Sequence, residues 1–336
     1  VDINGKKIGE ERRHDFDKDV AVFDQPAHGA CTMVRTKFLK KLGGYNEAFS
    51  CQDGYDLWIK FITNHKVSNI NKPLFSYRRH GNNLTDNEMR ILKTRQLIKR
   101  DFVKKNIDNT STLLILPIKP STLTRNEWIL SESDKVGSLI QKVKTCLNAK
   151  LPKLIVITSS SEKIQSLFQE RIDNTEKIKF VKRPEELEQD QIPLAKTIEH
   201  VSKSIDKLVN TVMTIDIEYP FLRSESIDEA IDTMVIFKAD SVVSVRPDYT
   251  LFYQHNGKGM KPFSDNEQFT KYEREAIYKA SGGIMLSKLE QVIETGKSIS
   301  GKVAHIIIDE KASFNLKKKI NIELFRNFNI QEYLSK

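Results

Sequence analysis

Cysteine is scarce in this chain: three among 336 residues, at Cys31, Cys51 and Cys146. They form no CxxC pair, and the seven histidines show no metal-binding spacing. A disulfide framework and a structural zinc site are thereby excluded, and reduced thiols in a cytoplasmic protein are the reading that remains. No apolar run approaches the roughly eighteen residues of a membrane-spanning helix. No signal peptide pattern opens the chain, and no internal repeat or low-complexity segment is visible. Charge of one sign is in little excess, with 54 Lys and Arg against 45 Asp and Glu, a net +9. No basic stretch is interleaved with stacking aromatics, so the bias does not make a nucleic-acid binder. What is present, 39% hydrophobic and 29% charged residues, is the composition of a globular protein.

The pattern changes near residue 110. Residues 1–84 are irregular and rich in Gly, Asn, His and aromatics. Residues 85–106 read as one long helix with Ile91, Ile98 and Phe102 on a stripe, and a polar linker follows. The basic face of that helix could rest on a membrane surface, although a solvated face packing its stripe on the domain is the simpler reading. Beyond 111, strand and helix alternate. Leu113–Pro117, Leu154–Ile157, Leu208–Ile215 and Ser241–Val245 read as strands, and 161–171, 193–205 and 226–237 as helices. A further helix face is made by Val136, Leu139, Ile140, Val143 and Leu147, and Ser226 with Glu229 forms a capping box. The expectation is an α/β domain over 111–336 with a mostly parallel, Rossmann-like sheet, whose ligands bind at the carboxyl ends of its strands.

In the first segment, Phe38, Leu39 and Leu42 suit a short helix that stops at Gly43-Gly44, and Trp58, Ile59 and Ile62 make a core stripe. Asp53 stands where that second helix would take its N-cap. It is either that cap or a carboxylate at the mouth of a site, able to accept a hydroxyl proton. Five blocks then occur in order: His28-Gly29-Ala30, Arg35 with Phe38, Gly43-Gly44-Tyr45 with Glu47 and Phe49, Gln52-Asp53 with Asp56-Leu57-Trp58, and Tyr77-Arg78-Arg79-His80. Together they resemble the second half of a family 2 glycosyltransferase of the inverting, GT-A type. The resemblance implies that Asp53 is the catalytic base and that Arg79 and His80 lie near the donor diphosphate. Without it, Arg78-Arg79-His80 is a solvated basic turn. Gln52 replaces the family's usual acid. The family's nucleotide-binding strands and Asp-x-Asp metal motif are expected upstream of Val1, so 1–84 reads as the C-terminal part of such a domain and 85–110 as helix and linker.

In the second segment, Asp216 and Glu218 follow a buried strand at its carboxyl end, where parallel sheets place their sites. Arg183 opens a turn with acidic residues after it. Ser281-Gly282-Gly283 reads as a β-bulge or a close approach to a ligand. With Leu113–Pro117, Arg183-Pro184-Glu185-Glu186-Leu187, Pro220-Phe221-Leu222-Arg223 and Asp240–Val245, this segment resembles the cytidylyltransferases that activate acidic sugars such as sialic acids. The resemblance implies a CTP site. Lys119, Arg125 and Asn126 would be its remaining phosphate-loop contacts, and Arg183, Asp216, Glu218, Ser281 and Gly282 would line the sugar and nucleotide pocket. The family's glycine-rich loop is here Lys119–Asn126 without glycine, and its Asp-Ile-Asp metal ligands are Asn315-Leu316-Lys317. A lysine there removes an anionic ligand and adds a positive charge.

The two resemblances together imply a carbohydrate-building transferase whose second domain has a degenerate active site. Its partners would be a nucleotide-sugar or CTP and a glycan or lipid-linked acceptor, with Mg²⁺ or Mn²⁺ as the cofactor of the intact families. A homodimer through the second domain is part of the same expectation, since Tyr249–Lys261 falls where related enzymes carry a dimerisation insert. The alternative is a non-catalytic module that binds a nucleotide-sugar or serves as a scaffold.

Overall fold

The computed structural model describes residues 1–9, 32–49, 51–68, 70, 72–78, 80, 87–105, 110–131, 135–172, 176–206, 208–263 and 277–327. In chain order its elements are helices α1 (Thr36–Lys41), α2 (Asp53–Asn64) and α3 (Glu88–Lys105), strand β1 (Thr112–Pro117), α4 (Pro120–Arg125), α5 (Leu139–Asn148), β2 (Leu154–Ser159), α6 (Glu162–Arg171), β3 (Ile178–Lys182), α7 (Leu194–Lys203), β4 (Thr211–Ile215), α8 (Ser224–Phe237) and β5 (Ser241–Asp248). There follow β6 (Tyr253–His255), β7 (Met260–Pro262), β8 (Ile277–Lys288), α9 (Leu289–Thr295), β9 (Val303–Ile307), α10 (Glu310–Ser313) and α11 (Lys319–Asn327). Short 3-10 turns occupy Glu127–Leu130 and Glu185–Glu188. The chain forms two compact units, Val1–Ile98 with Pro247–Lys279, and Lys99–Arg246 with Ala280–Lys336.

In the first unit, α1 stops as expected at Gly43 and Gly44, whose φ angles of 80° and 71° suit glycine best. The core face of α2 carries Tyr55, Leu57, Ile59 and Phe61, whereas Trp58 and Ile62 are only half-buried. The stripe expected at Trp58, Ile59 and Ile62 is thus rotated. The N-cap position belongs to Gln52, in the left-handed region at φ 60°, and Asp53 is the first residue of the helix itself. The capping alternative for Asp53 is therefore corrected. Arg95 holds the turn, with Nε 3.0 Å from Gln52 Oε1 and its guanidinium over the Tyr55 ring. The backbone N of Val1 donates to the Tyr77 carbonyl at 2.7 Å, and Arg78 donates to the Ile3 carbonyl at 3.3 Å. Strands β6 and β7 pair as an antiparallel hairpin in this unit.

The second unit is an α/β domain built on a seven-stranded sheet in the order β3-β2-β1-β4-β8-β5-β9. Strands β1, β2, β3 and β4 are parallel neighbours, as are β5 and β9. Strand β8 runs antiparallel to β4. The inner strands Leu113–Leu116, Leu154–Ile157 and Val212–Met213 are at most 1% exposed, which is why they read as continuous apolar runs. On one face Leu113, Ile115, Val156 and Val212 pack against Ala195, Ile198 and Val201 of α7 and Val292 of α9. Each buried Leu, Ile or Val among them contributes about 1.5–3 kcal/mol.

Several local expectations are corrected here. Strand β4 starts at Thr211, and Leu208 is 96% exposed. Ser138 caps α5 by accepting from the Gln141 N–H, which leaves Val136 outside the helix, and Cys146 rather than Leu147 completes the buried face. The capping box at Ser226 and Glu229 does not form. Helix α8 begins two residues earlier, both side chains are buried within it, and Glu229 takes the Lys99 ammonium at 2.8 Å. On α3 the buried apolar side chains are Leu92, Ile98 and Val103, a stripe displaced from Ile91, Ile98 and Phe102. Among the described residues no helix is long and apolar enough to cross a membrane.

Candidate functional site

The carboxyl end of β4 leads into Asp216-Ile217-Glu218-Tyr219, a turn fixed by its own backbone. The Asp216 N–H donates to the Gly283 carbonyl at 2.9 Å, and the Glu218 N–H donates to Asp216 Oδ1 at 2.9 Å. On the neighbouring β8, Gly282 and Gly283 have φ angles of 79° and 73°. A Cβ on Gly283 would lie 2.7 Å from both Asp216 Cβ and Tyr219 Cδ2, and one on Gly282 would collide with Ile308. Both glycines are therefore required by close packing of the protein on itself. Ser244 pins this kink: its hydroxyl donates to the Ser281 carbonyl and accepts from the Ile284 N–H. At Ser281-Gly282-Gly283 the close approach that is seen is of the protein's own Asp216, Tyr219 and Ile308.

The turn carries two carboxylates, and each meets a cation. Lys317 Nζ is 2.7 Å from Asp216 Oδ2 and 5.3 Å from the Tyr219 ring centroid. Arg125, at the end of α4, grips Glu218 at 2.8 and 2.9 Å through Nη2, with Nε 3.0 Å from Oε1. Burial pushes Glu218 above the ordinary carboxylate range, and its Arg125 hydrogen bonds partly oppose that. Burial alone would lower Lys317, but Asp216 overrides it, so the ammonium is held above the usual lysine value. The Leu316 N–H donates to the Glu218 carbonyl at 2.8 Å, which ties the segment bearing Lys317 to the same turn.

A third cation lies beneath. Lys142 on α5 is fully buried and donates its ammonium to the Tyr219 carbonyl. Burial lowers it to about 8, and pushes the neighbouring Cys146 thiol up to about 12. Sequence reasoning missed Lys142. The signal was its place on the apolar stripe with Leu139, Val143 and Cys146, where a lysine needs a buried partner.

The other expected residues divide. Lys119 Nζ is 3.4 Å from both the Gln189 carbonyl and Asp190 Oδ1, on a half-open rim. Asn126 is 1% exposed, and neither its amide nitrogen nor its oxygen has a hydrogen-bond partner among the described residues. Such an orphan is what a ligand could satisfy. Arg183 is buried against Glu188, with Nε 2.9 Å from Oε1, and Glu188 also accepts from the Ser160 N–H at 3.1 Å. Its guanidinium is thus committed to shaping the β2–β3 end of the sheet. Asn315 accepts from the Lys317 N–H at 3.2 Å. Within the first unit Asp53 is exposed on the first turn of α2 and His80 is exposed, while Arg79 lies outside the described residues.

The donor set does not fit a divalent cation. One Asp216 oxygen takes a backbone N–H and the other an ammonium, and Glu218 is occupied by a guanidinium. A hard cation needs uncompensated oxygen ligands. Among the described residues no three His, Cys, Asp or Glu side chains gather to hold a metal. A depression of about 400 Å³ is lined by Gln165, Phe168, Gln169, Lys179 and Phe180 on α6 and β3, and none of the expected site residues lines it.

No family model matches the chain, and no curated protein matches it. Among solved structures it is similar to 4-diphosphocytidyl-2C-methyl-D-erythritol synthase from Anaerococcus prevotii, at 15% identity over 68% of this chain and 98% of that one, with a TM-score of 0.47. It is similar to 2-C-methyl-D-erythritol 4-phosphate cytidylyltransferase from Francisella tularensis, at 13% identity over 65% and 99%, with a TM-score of 0.45. A third likeness is to CMP:2-keto-3-deoxy-manno-octonic acid synthetase complexed with CTP, at 11% identity over 66% and 100%, with a TM-score of 0.45. Likeness at this level leaves function to the chemistry of the site.

Proposed function

We propose that the unit Lys99–Arg246 with Ala280–Lys336 is a cytidylyltransferase-like domain that binds CTP or a CMP-sugar and transfers nucleotidyl groups weakly or not at all. One observation carries the reading: both carboxylates at the end of β4 are already paired with cations of the same chain, Asp216 with Lys317 and Glu218 with Arg125. Nucleotide binding is supported by the ordered sequence blocks that run through this unit, by the rim lysine Lys119, and by the unpartnered Asn126 amide beside Arg125. Weak transfer is supported by the phosphate loop itself. Lys119–Asn126 contains no glycine and winds into α4, which removes the run of outward backbone amides that cradles a triphosphate. A homodimer through the Tyr249–Lys261 segment, which belongs to the first compact unit, is part of the same reading and is checked by sedimentation.

The test is incubation of the full chain with CTP, Mg²⁺ and a panel of acidic sugars. The expected result is CTP binding without pyrophosphate release. Clear release that is abolished by Lys119→Ala contradicts the reading. Absence of any CTP binding favours the scaffold alternative.

For the first unit we propose glycosyl transfer to a glycan or lipid-linked acceptor, with Asp53 as the base. The supporting observation is an exposed carboxylate on a helix whose opening turn is held by Arg95. In a chain that also carries a donor-binding half, transfer of labelled sugar to acceptors should be lost in Asp53→Asn with no change in melting temperature, and retained activity would reject that role.

A further inference from the structure

The turn after β4 is tied down by hydrogen bonds and ringed by cations. Lys317, Arg125 and Lys142 all bond to it, against the carboxylates of Asp216 and Glu218. The five groups therefore leave an excess of one positive charge. Its position is fixed, because the Leu316 and Lys317 N–H groups are both bonded within the site. The Lys317 side chain is 47% exposed, against 27% for Asp216, so the ammonium lies on the outer side of the pair. An ammonium carries three N–H donors, and Asp216 Oδ2 occupies one of them. Arg125, 40% exposed, presents a second cation alongside, next to the unpartnered Asn126 amide.

A magnesium ion in a nucleotide site bridges a protein carboxylate and phosphate oxygens. An ammonium held against Asp216 can make the same bridge with one charge instead of two, and lysine is a common point-charge partner of phosphate. It offers no vacant coordination position and half the charge. It can hold a polyphosphate while stabilising little of the charge that develops when one is cleaved.

We infer that Lys317 stands in for the divalent cation, so that this site takes the polyphosphate of a nucleoside triphosphate without a metal. The inference rests on the nucleotide-binding reading above and adds its metal independence. Lys317 bonds the phosphate oxygens from the Asp216 side, and Arg125 flanks them.

The experiment is titration calorimetry of the full chain with CTP, and separately with inorganic pyrophosphate, in EDTA and in excess Mg²⁺. Wild-type protein should bind CTP in EDTA at least as tightly as with Mg²⁺. Lys317→Met should lose about tenfold or more in EDTA, the effect of one charged hydrogen bond. Lys317→Arg should retain binding, and Lys317→Asp should bind only with Mg²⁺. Wild-type binding that appears only with Mg²⁺, or undiminished binding by Lys317→Met, overturns the inference and leaves the nucleotide-binding reading standing. No heat with CTP in either buffer rejects that reading and the inference together. Should Lys317→Met fail to fold by circular dichroism, the wild-type comparison of EDTA with Mg²⁺ decides the matter.

Discussion

Lys317 Nζ lies 2.7 Å from Asp216 Oδ2, so one of the two carboxylates at the end of β4 is closed by an ammonium of the same chain. Asp216 is held from behind by the Gly283 carbonyl and Lys317 through the Leu316 N–H. The pair is thus a fixed part of the fold. Its electrostatics set what the end of β4 can bind.

Removing Arg125 should expose how far Glu218 depends on it. Arg125→Leu leaves a buried carboxylate without its guanidinium. The expected cost is about 2–3 kcal/mol, below that of a wholly buried pair because Arg125 is 40% exposed. Glu218 already sits above its ordinary value, so the stability it contributes is present at low pH and is lost as pH rises through its folded value. The variant should therefore lie closer to wild type at pH 4.5 than at pH 8, measured by urea unfolding. An equal deficit at both would argue that the loss is packing alone.

A similar pH signature is expected at Asp232. Burial raises it from 3.8 to about 6 despite the Arg100 guanidinium at 2.8 Å. Its contribution to stability is complete below about 3.8 and fades as pH climbs through about 6. Asp232→Asn should flatten the melting temperature across that window. A profile unchanged from wild type would mean that Asp232 is not the titrating group.

Gly283→Ala should disturb the site from the sheet side. The φ of 73° and the 2.7 Å approach to Asp216 and Tyr219 both oppose a side chain. The combined cost is about 2–4 kcal/mol. In a unit of this size that lowers the melting temperature by roughly 5–15 °C, readable by calorimetry. A variant that melts like wild type would show that the turn yields more easily than its packing implies.

Cys146 should resist alkylation. It is 0% exposed, and burial pushes its thiol to about 12, so little thiolate exists at pH 8. Peptide mass spectrometry should find it unmodified by iodoacetamide in the native protein and modified after unfolding. Rapid native labelling would show that α5 opens.

Much of the second unit was legible from residue pattern. Strands β1 and β2 are buried on both faces, and that double burial is what makes Leu113–Leu116 and Leu154–Ile157 continuous apolar runs. The antiparallel β8 was less visible as a strand. Its Tyr278, Lys279 and Ala280 are exposed and its two glycines carry no side chain, so the apolar signal is confined to its last part. Helix α8 misled because Ser226 and Glu229 satisfy a capping pattern locally, while the buried Lys99 makes a stronger claim on Glu229. At the site, Asp216, Glu218, Arg125 and Lys317 were identifiable as residues from their order in the chain. Their pairing was not, because it joins segments about a hundred residues apart, from Arg125 to Glu218 and from Asp216 to Lys317. Lys142 stayed hidden for the same reason, since its partner is a backbone carbonyl that no side-chain pattern announces.

The most direct test is phosphorus NMR of the full chain with CTP, Mg²⁺ and an acidic sugar. The charge pairing at Asp216 and Glu218 predicts shifted, broadened CTP resonances with no accumulating pyrophosphate signal. Steady growth of a pyrophosphate resonance that depends on the protein would contradict it.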